Sequence, residues 1–149
     1  MAIEQGVETL LATQQEQVGF LIDTGNSIDS KALAILAINV GFLIFIAQDS
    51  SQFFGWWRLI ITLAPLALSL VFDVRAIWPR AYASVGADLQ RHPEYLSMEK
   101  EALLLQLLAN TEQAITRNSR LNVKRLRSCV ISIILTALST TAVFAILWI

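Results

Sequence analysis

The last 22 residues of this 149-residue chain, 128–149, contain no Asp, Glu, Lys or Arg. At about 1.5 Å per residue, a helix of that length reaches roughly 33 Å, enough to cross the roughly 30 Å hydrocarbon core of a bilayer. The rest of the chain agrees with that demand. Apolar residues make up 55 % of it and charged residues 15 %, against about 25 % charged in an average globular protein. Four Trp in so short a chain suit anchoring at headgroup level. The N-terminus, Met-Ala-Ile-Glu, lacks the basic stretch that opens a signal peptide.

Two further spans precede the last one. Residues 32–47 carry no charge, and Asn39 is their only strongly polar residue. Sixteen residues give roughly 24 Å, so this helix spans only if it runs on to Gln48 and Lys31 snorkels its ammonium to the interface. Residues 49–57 read as a short turn whose Phe53, Phe54, Trp56 and Trp57 form an aromatic belt, with Arg58 as an anchor. The second span, 59–72, contains Pro65, a candidate kink, and closes at Asp73, Arg75, Trp78, Pro79 and Arg80.

The remaining segments are polar helices and a connector. Residues 1–28 form an amphipathic helix on Ile3, Val7, Leu10, Leu11, Val18, Leu21 and Ile22. Its glycines each weaken it by roughly 1 kcal/mol relative to Ala, so it needs a partner to stay folded. Asp29 or Ser30 is a cap for a new helix start, which opens a transmembrane hairpin over 29–80. Residues 81–93, with Gly86 and Pro93, are a connector, and Pro93 suits the first position of a helix. Residues 94–127 continue without a break signal into the third span, 128–149. The expected fold is all-α, with three transmembrane helices (a hairpin plus a long C-terminal helix) and a helical cytosolic part.

Charge gives this arrangement a direction. Ten of the eleven Lys and Arg fall on one side of a three-span topology and Arg58 alone on the other. By the positive-inside rule the N-terminus and residues 75–127 are cytosolic, and the 48–57 turn and the C-terminus lie outside. Residues 1–31 carry five acids and one base, net −4; residues 75–127 carry nine bases and five acids, net +4. Docking of one on the other, or of the basic face on anionic headgroups, follows.

Several side chains are candidates for function. With the turn centred on residues 52–53, Lys31 and Asp73 share one depth, giving a Lys31–Asp73 or Asp73–Arg75 ion pair or a gate. Asn39 falls level with Leu66, to bond across helices or line a pore. In the third span Ser128, Ser132, Thr136 and Thr140 recur every four residues as one hydroxyl stripe, for packing or for the inner wall of a homo-oligomeric pore. Beside it Ala137, Thr141 and Ala145 form a small-residue row of the kind that brings helices together. Arg117, Arg120, Lys124, Arg125 and Arg127 form a juxtamembrane basic cluster for lipid or an anionic ligand.

Enzyme chemistry finds no footing here. One Cys, Cys129, and one His, His92, exclude internal disulfides, Cys-based zinc sites and multi-His metal centres. No glycine loop cradles a phosphate, and no cofactor or metal is expected. A net charge of −1 gives no bias toward nucleic acid.

The run Ser27-Ile-Asp29-Ser-Lys31-Ala32, leading through 33–38 to Asn39, resembles the start of the first span in the Pycsar effector transmembrane family. So does a second span ending in Trp78-Pro79-Arg80 and followed by a cytosolic helix and a last span. The resemblance covers roughly residues 20–149, and Asp29, Lys31, Asn39, Pro79 and Arg80 are the positions it marks. It implies a small membrane effector of bacterial anti-phage defence in the cell inner membrane, triggered by a cyclic nucleotide and impairing that membrane. The chain has no separate nucleotide-binding domain, so the signal acts on these helices or through a partner subunit. The expected function is therefore a homo-oligomeric membrane effector. The alternative is a constitutive scaffold subunit whose cytosolic helices dock a soluble partner. A small transporter is disfavoured by the absence of an inverted repeat.

Overall fold

A computed structural model describes residues 2–48, 56–83, 95 and 97–148. Among the described residues there are three helices and no strand: α1 (Ala2–Gln48), α2 (Trp56–Ile77) and α3 (Lys100–Trp148). Each is long and apolar enough to cross a membrane. The chain is thus an all-α, multi-pass membrane protein. Phe53 and Phe54 of the aromatic turn, and Gly86, His92 and Pro93 of the connector, lie outside the described residues.

Helix boundaries differ from the sequence expectation at three places, each for a local reason. No cap interrupts α1 at residues 29–30. Ser30 Oγ instead donates to the Asn26 carbonyl 3.1 Å away, one turn back, and so leaves the helix ladder intact. Helix α2 is longer than 59–72 at both ends and takes in Asp73 and Arg75. Helix α3 starts at Lys100 rather than 94; its entry is marked by Leu103 N–H on the Glu99 carbonyl at 3.0 Å, with Glu101 in the first turn. Pro65 lies inside α2, which continues through it.

The chain divides into two compact units. Unit 1 comprises Met1–Gly25 and Arg80–Asn122. Leu11 and Val18 of α1 are buried in it, as are Thr111, Ala114, Asn118 and Asn122 of α3 and Tyr95 ahead of α3. Glu8 and Lys100 form an exposed ion pair at 2.9 Å, and Asn110 Nδ2 donates to Tyr95 Oη at 2.9 Å. The short stretch after α2 is strapped to both helices of this unit. Asn118 accepts from Ala83 N–H and donates to Ala83 C=O, both at 2.9 Å. Tyr82 Oη donates to Asn122 Oδ1, whose Nδ2 donates to the Leu21 carbonyl, both at 2.7 Å. Gly25 makes room for this: a Cβ there would collide with the Tyr82 hydroxyl and ring. Burial pushes the Tyr82 hydroxyl up from its usual pKa, against a smaller downward pull from Arg80.

Unit 2 comprises Asn26–Pro79 and Val123–Ile149, and its three helix segments pack as a bundle. Buried positions on α2 are Thr62, Leu66, Ser69, Asp73 and Ala76, steps of four and three that keep one seam facing its neighbours. On α1 they are Ile28, Ala32, Asn39 and Ile46, and on α3 Arg125, Ser128, Cys129, Ser132, Ser139 and Val143. Ala32, Ala76 and Cys129 meet in one layer, and Ile46, Leu66 and Val143 in another. The outside is apolar instead: Ile44, Leu68, Val71, Ile134, Leu138 and Phe144 are all more than half exposed. Large apolar residues outside and small or polar ones inside are what a lipid solvent selects, since tails solvate Leu as well as another helix does.

Candidate functional site

Between those two layers of unit 2 lies a closed polar cluster. Asn39, Ser69, Asp73 and Ser132 are fully buried. Asn39 is the hub. Its Nδ2 donates to Asp73 Oδ2 and to Ser69 Oγ, each at 2.7 Å, and its Oδ1 accepts from Thr136 Oγ1 at 2.8 Å. The second carboxylate oxygen of Asp73 accepts from Ser132 Oγ at 2.5 Å. Ser69 Oγ also lies 2.7 Å from Ser132 Oγ and 2.9 Å from Thr136 Oγ1. Every helix contributes, and both carboxylate oxygens of the buried acid have a donor. A carboxylate at this depth is expensive when unpaired, so these bonds fix the register of the bundle as well as holding it.

That register corrects two expectations. Asp73 pairs with neither Lys31 nor Arg75; both cations are exposed, and the carboxylate turns inward to Asn39 and Ser132. Asn39 is level with Ser69 and Asp73, not with Leu66; Leu66 packs with Ile46, one layer away. The hairpin is therefore offset by roughly five residues from a symmetric turn. The reason is chemical: Asn39 is the one strongly polar group of its span, and it slides to the acid that needs it.

The hydroxyl stripe of α3 is turned into the bundle of its own chain. Ser132 and Thr136 belong to the polar cluster, Ser128 is buried and donates to the Lys124 carbonyl, and Thr140 donates to the Thr136 carbonyl. An apolar layer lies on either side of the cluster, and the stripe packs inside the bundle of its own chain. Three core groups were absent from the sequence candidates. Thr62, Ser69 and Ser139 are fully buried, and Ser139 Oγ donates to the Thr62 carbonyl at 2.7 Å. The seven-four-three spacing of Thr62, Ser69, Asp73 and Ala76 on α2 was the available signal. It is masked by the apolar residues between them.

A second constellation closes the end of unit 2 nearest Lys31. Arg125 is 3 % exposed. Its Nη2 forms an ion pair with Asp29 Oδ1, and its Nε donates to the Ala76 carbonyl at 2.8 Å. One side chain thus ties α3 to α1 and satisfies an end carbonyl of α2. This corrects the basic cluster. Arg125 is spent on the fold, whereas Arg117, Arg120, Lys124 and Arg127 remain exposed. Of the five positions marked by the resemblance, Asn39 sits in the polar core, Asp29 holds Arg125, Lys31 and Pro79 are exposed, and Arg80 is half-buried. Cys129 packs in the alanine layer. At the opposite end of α2, the Arg58 guanidinium lies 5.3 Å from the Trp57 ring centroid, a cation–π contact.

The polar groups of the cluster are bonded to one another and to the three helices that carry them. No protein-family model matches the chain, and neither a curated protein nor a solved structure shows significant similarity to it.

Proposed function

We propose that this chain is a non-enzymatic membrane effector whose copies associate through α3 and impair the bilayer. One observation carries the reading. Ala137, Thr141 and Ala145 form an exposed row on α3, turned away from the bundle core of their own chain. The Thr141 hydroxyl donates to the Ala137 carbonyl at 2.8 Å, so this face presents small side chains with no polar group left to satisfy. Such faces let helix backbones approach closely in lipid. The polar core is closed within each chain, so membrane damage on this reading comes from contacts between chains and not from a pore through one.

Orientation, location and trigger belong to the same proposal. The distribution of Lys and Arg supports a cytosolic N-terminus and an external C-terminus. The resemblance of residues 27–39 and 78–80 to the Pycsar effectors supports a bacterial inner membrane, a role in anti-phage defence and a cyclic-nucleotide signal, sensed by this chain or by a partner subunit. Induced expression with a membrane-potential dye tests it. Wild type is expected to depolarise cells when the nucleotide is supplied, and A137I/T141I/A145I to insert normally yet leave the potential intact. Depolarisation that survives in the triple variant overturns the α3 interface. A chain that is harmless under every condition overturns the effector reading. The scaffold reading draws on Leu10, Phe20 and Leu105 of unit 1, large apolar residues that are exposed; a harmless chain that copurifies with a soluble protein through these residues decides for it.

A further inference from the structure

The end of unit 2 that carries Arg125 also carries cations that the fold does not use. Lys31 on α1, Arg75 on α2, and Lys124 and Arg127 on α3 are all exposed. Lys31 and Arg75 are the immediate neighbours of Ala32 and Ala76, which share one layer with Cys129; Arg127 lies two residues from Cys129 and Lys124 five. None of the four has an ion-pair partner among the described residues. The buried and half-buried acids at this end, Asp73 and Asp29, are engaged elsewhere. Asp29 is held by Arg125, and Asp73 is buried with Asn39 and Ser132. All three helices therefore contribute to a collar of four positive charges without an ion-pair partner among the described residues.

The surroundings of the collar specify its partner. Leu33, Val74 and Val130, one from each helix, lie a few residues away and are 51 %, 47 % and 46 % exposed. Trp78, 63 % exposed, stands at the same end of α2. A ring of cations and an indole directly bordering a lipid-facing apolar surface sits at headgroup depth in a bilayer. A soluble acidic protein would have to reach past the headgroups to meet it.

We propose that this collar is a binding site for the phosphates of anionic phospholipids, which it recruits around the bundle in preference to zwitterionic ones. Each basic side chain near an anionic surface adds an attraction that is screened by salt. Four acting together give a preference of roughly tenfold or more in low salt. The Asp29–Arg125 pair adds nothing to it, because its charges cancel.

Native mass spectrometry of the full chain in detergent tests this, with dioleoyl phosphatidylglycerol and dioleoyl phosphatidylcholine titrated in competition. Wild type is expected to retain phosphatidylglycerol about tenfold better in low salt. K31Q/R75Q/K124Q/R127Q is expected to lose the preference with helix content by circular dichroism unchanged, and R58Q, at the other end, to keep it. Inorganic phosphate at millimolar concentration separates the two sources of the anion: if it displaces the lipid, the site is a free-anion site and the lipid proposal fails. Should the quadruple variant not fold, wild type in 500 mM NaCl serves instead, and a preference unchanged by salt overturns the proposal. Equal retention of the two lipids by wild type in low salt also overturns it.

Discussion

The two units of this chain share two long helices yet have opposite exteriors. Unit 1 buries Leu11, Val18 and Ala114 beside Thr111, Asn118 and Asn122, and its exposed positions include Glu8, Lys100, Arg117 and Arg120. In unit 2 the buried positions include Asn39, Thr62, Ser69, Asp73, Ser132 and Ser139, and the exposed ones are mainly Leu, Ile, Val and Phe. The difference follows from the solvent. Water drives apolar surface inward. Lipid does not, and it leaves close packing and interhelical hydrogen bonds to hold the bundle. Bonded polar side chains hold the inside of both units, but unit 2 depends on them more, because lipid gives it no hydrophobic drive to close.

The largest test of that contrast removes the hub. Asn39→Leu replaces a buried amide by an apolar group of similar size and takes one donor from the Asp73 carboxylate. The bundle is expected to lose about 3 kcal/mol, because a buried charge is left short of partners; detergent-to-SDS unfolding measures it. A neutral result means that apolar packing, not the polar cluster, holds unit 2. Next in size, Asp29→Ala removes the carboxylate partner of the buried Arg125 guanidinium, at an expected cost of about 2–3 kcal/mol by the same assay.

In unit 1 the effects are smaller and rest on shape. Gly25→Ala pushes the Tyr82 ring off Asn122, and a cost of about 1 kcal/mol is expected even after the gain in helix propensity. Hydrogen exchange at residues 80–83 should rise with it. In a Tyr82→Phe background, the same glycine change should raise exchange by less than in wild type, since the hydrogen bond is already gone. Gly6 and Gly19 have nothing within 4 Å of where a Cβ would stand. Gly6→Ala and Gly19→Ala should each stabilise the helix, by up to about 1 kcal/mol.

The smallest effect is on pH dependence. The Tyr82 hydroxyl titrates above its ordinary pKa of 10.0, so the folded strap holds that proton more tightly than the unfolded chain does. Its contribution is complete below pH 10 and falls away as pH rises through the higher folded value. Protease sensitivity after α2 should therefore climb in alkali in wild type, and this component should vanish in Tyr82→Phe.

Much of the fold was legible in the sequence because hydrophobic length is a direct physical requirement of a bilayer. Residues 128–149 have one available fate, and the other two spans follow the same rule. The interior was harder to read. Apolar periodicity points to the core in water, but in a span where nearly every residue is apolar it marks the lipid side. The informative pattern was the polar one, and in α2 it is diluted by Leu, Val and Ala. Ser132 and Thr136 were visible as a stripe, but their partners Asn39 and Asp73 were placed one to two turns apart by assuming a symmetric hairpin. The Asp29–Arg125 pair links residues 96 positions apart, and the chain carries no local sign that those two charges meet.

The offset of the hairpin has a consequence at the far end of the bundle. With Asn39 level with Ser69 and Asp73, the last residue of α1, Gln48, falls level with roughly residue 62 of α2. The first six residues of α2 then rise about 9 Å above the end of α1. Among the described residues this rim is a step, and a flat bilayer surface cannot match both treads. A thin membrane leaves Trp56 and Trp57 standing clear, and a thick one draws the amide of Gln48 into hydrocarbon. Each mismatch costs fractions of a kcal/mol per ångström, which makes the local thickness of the membrane a variable that this protein feels.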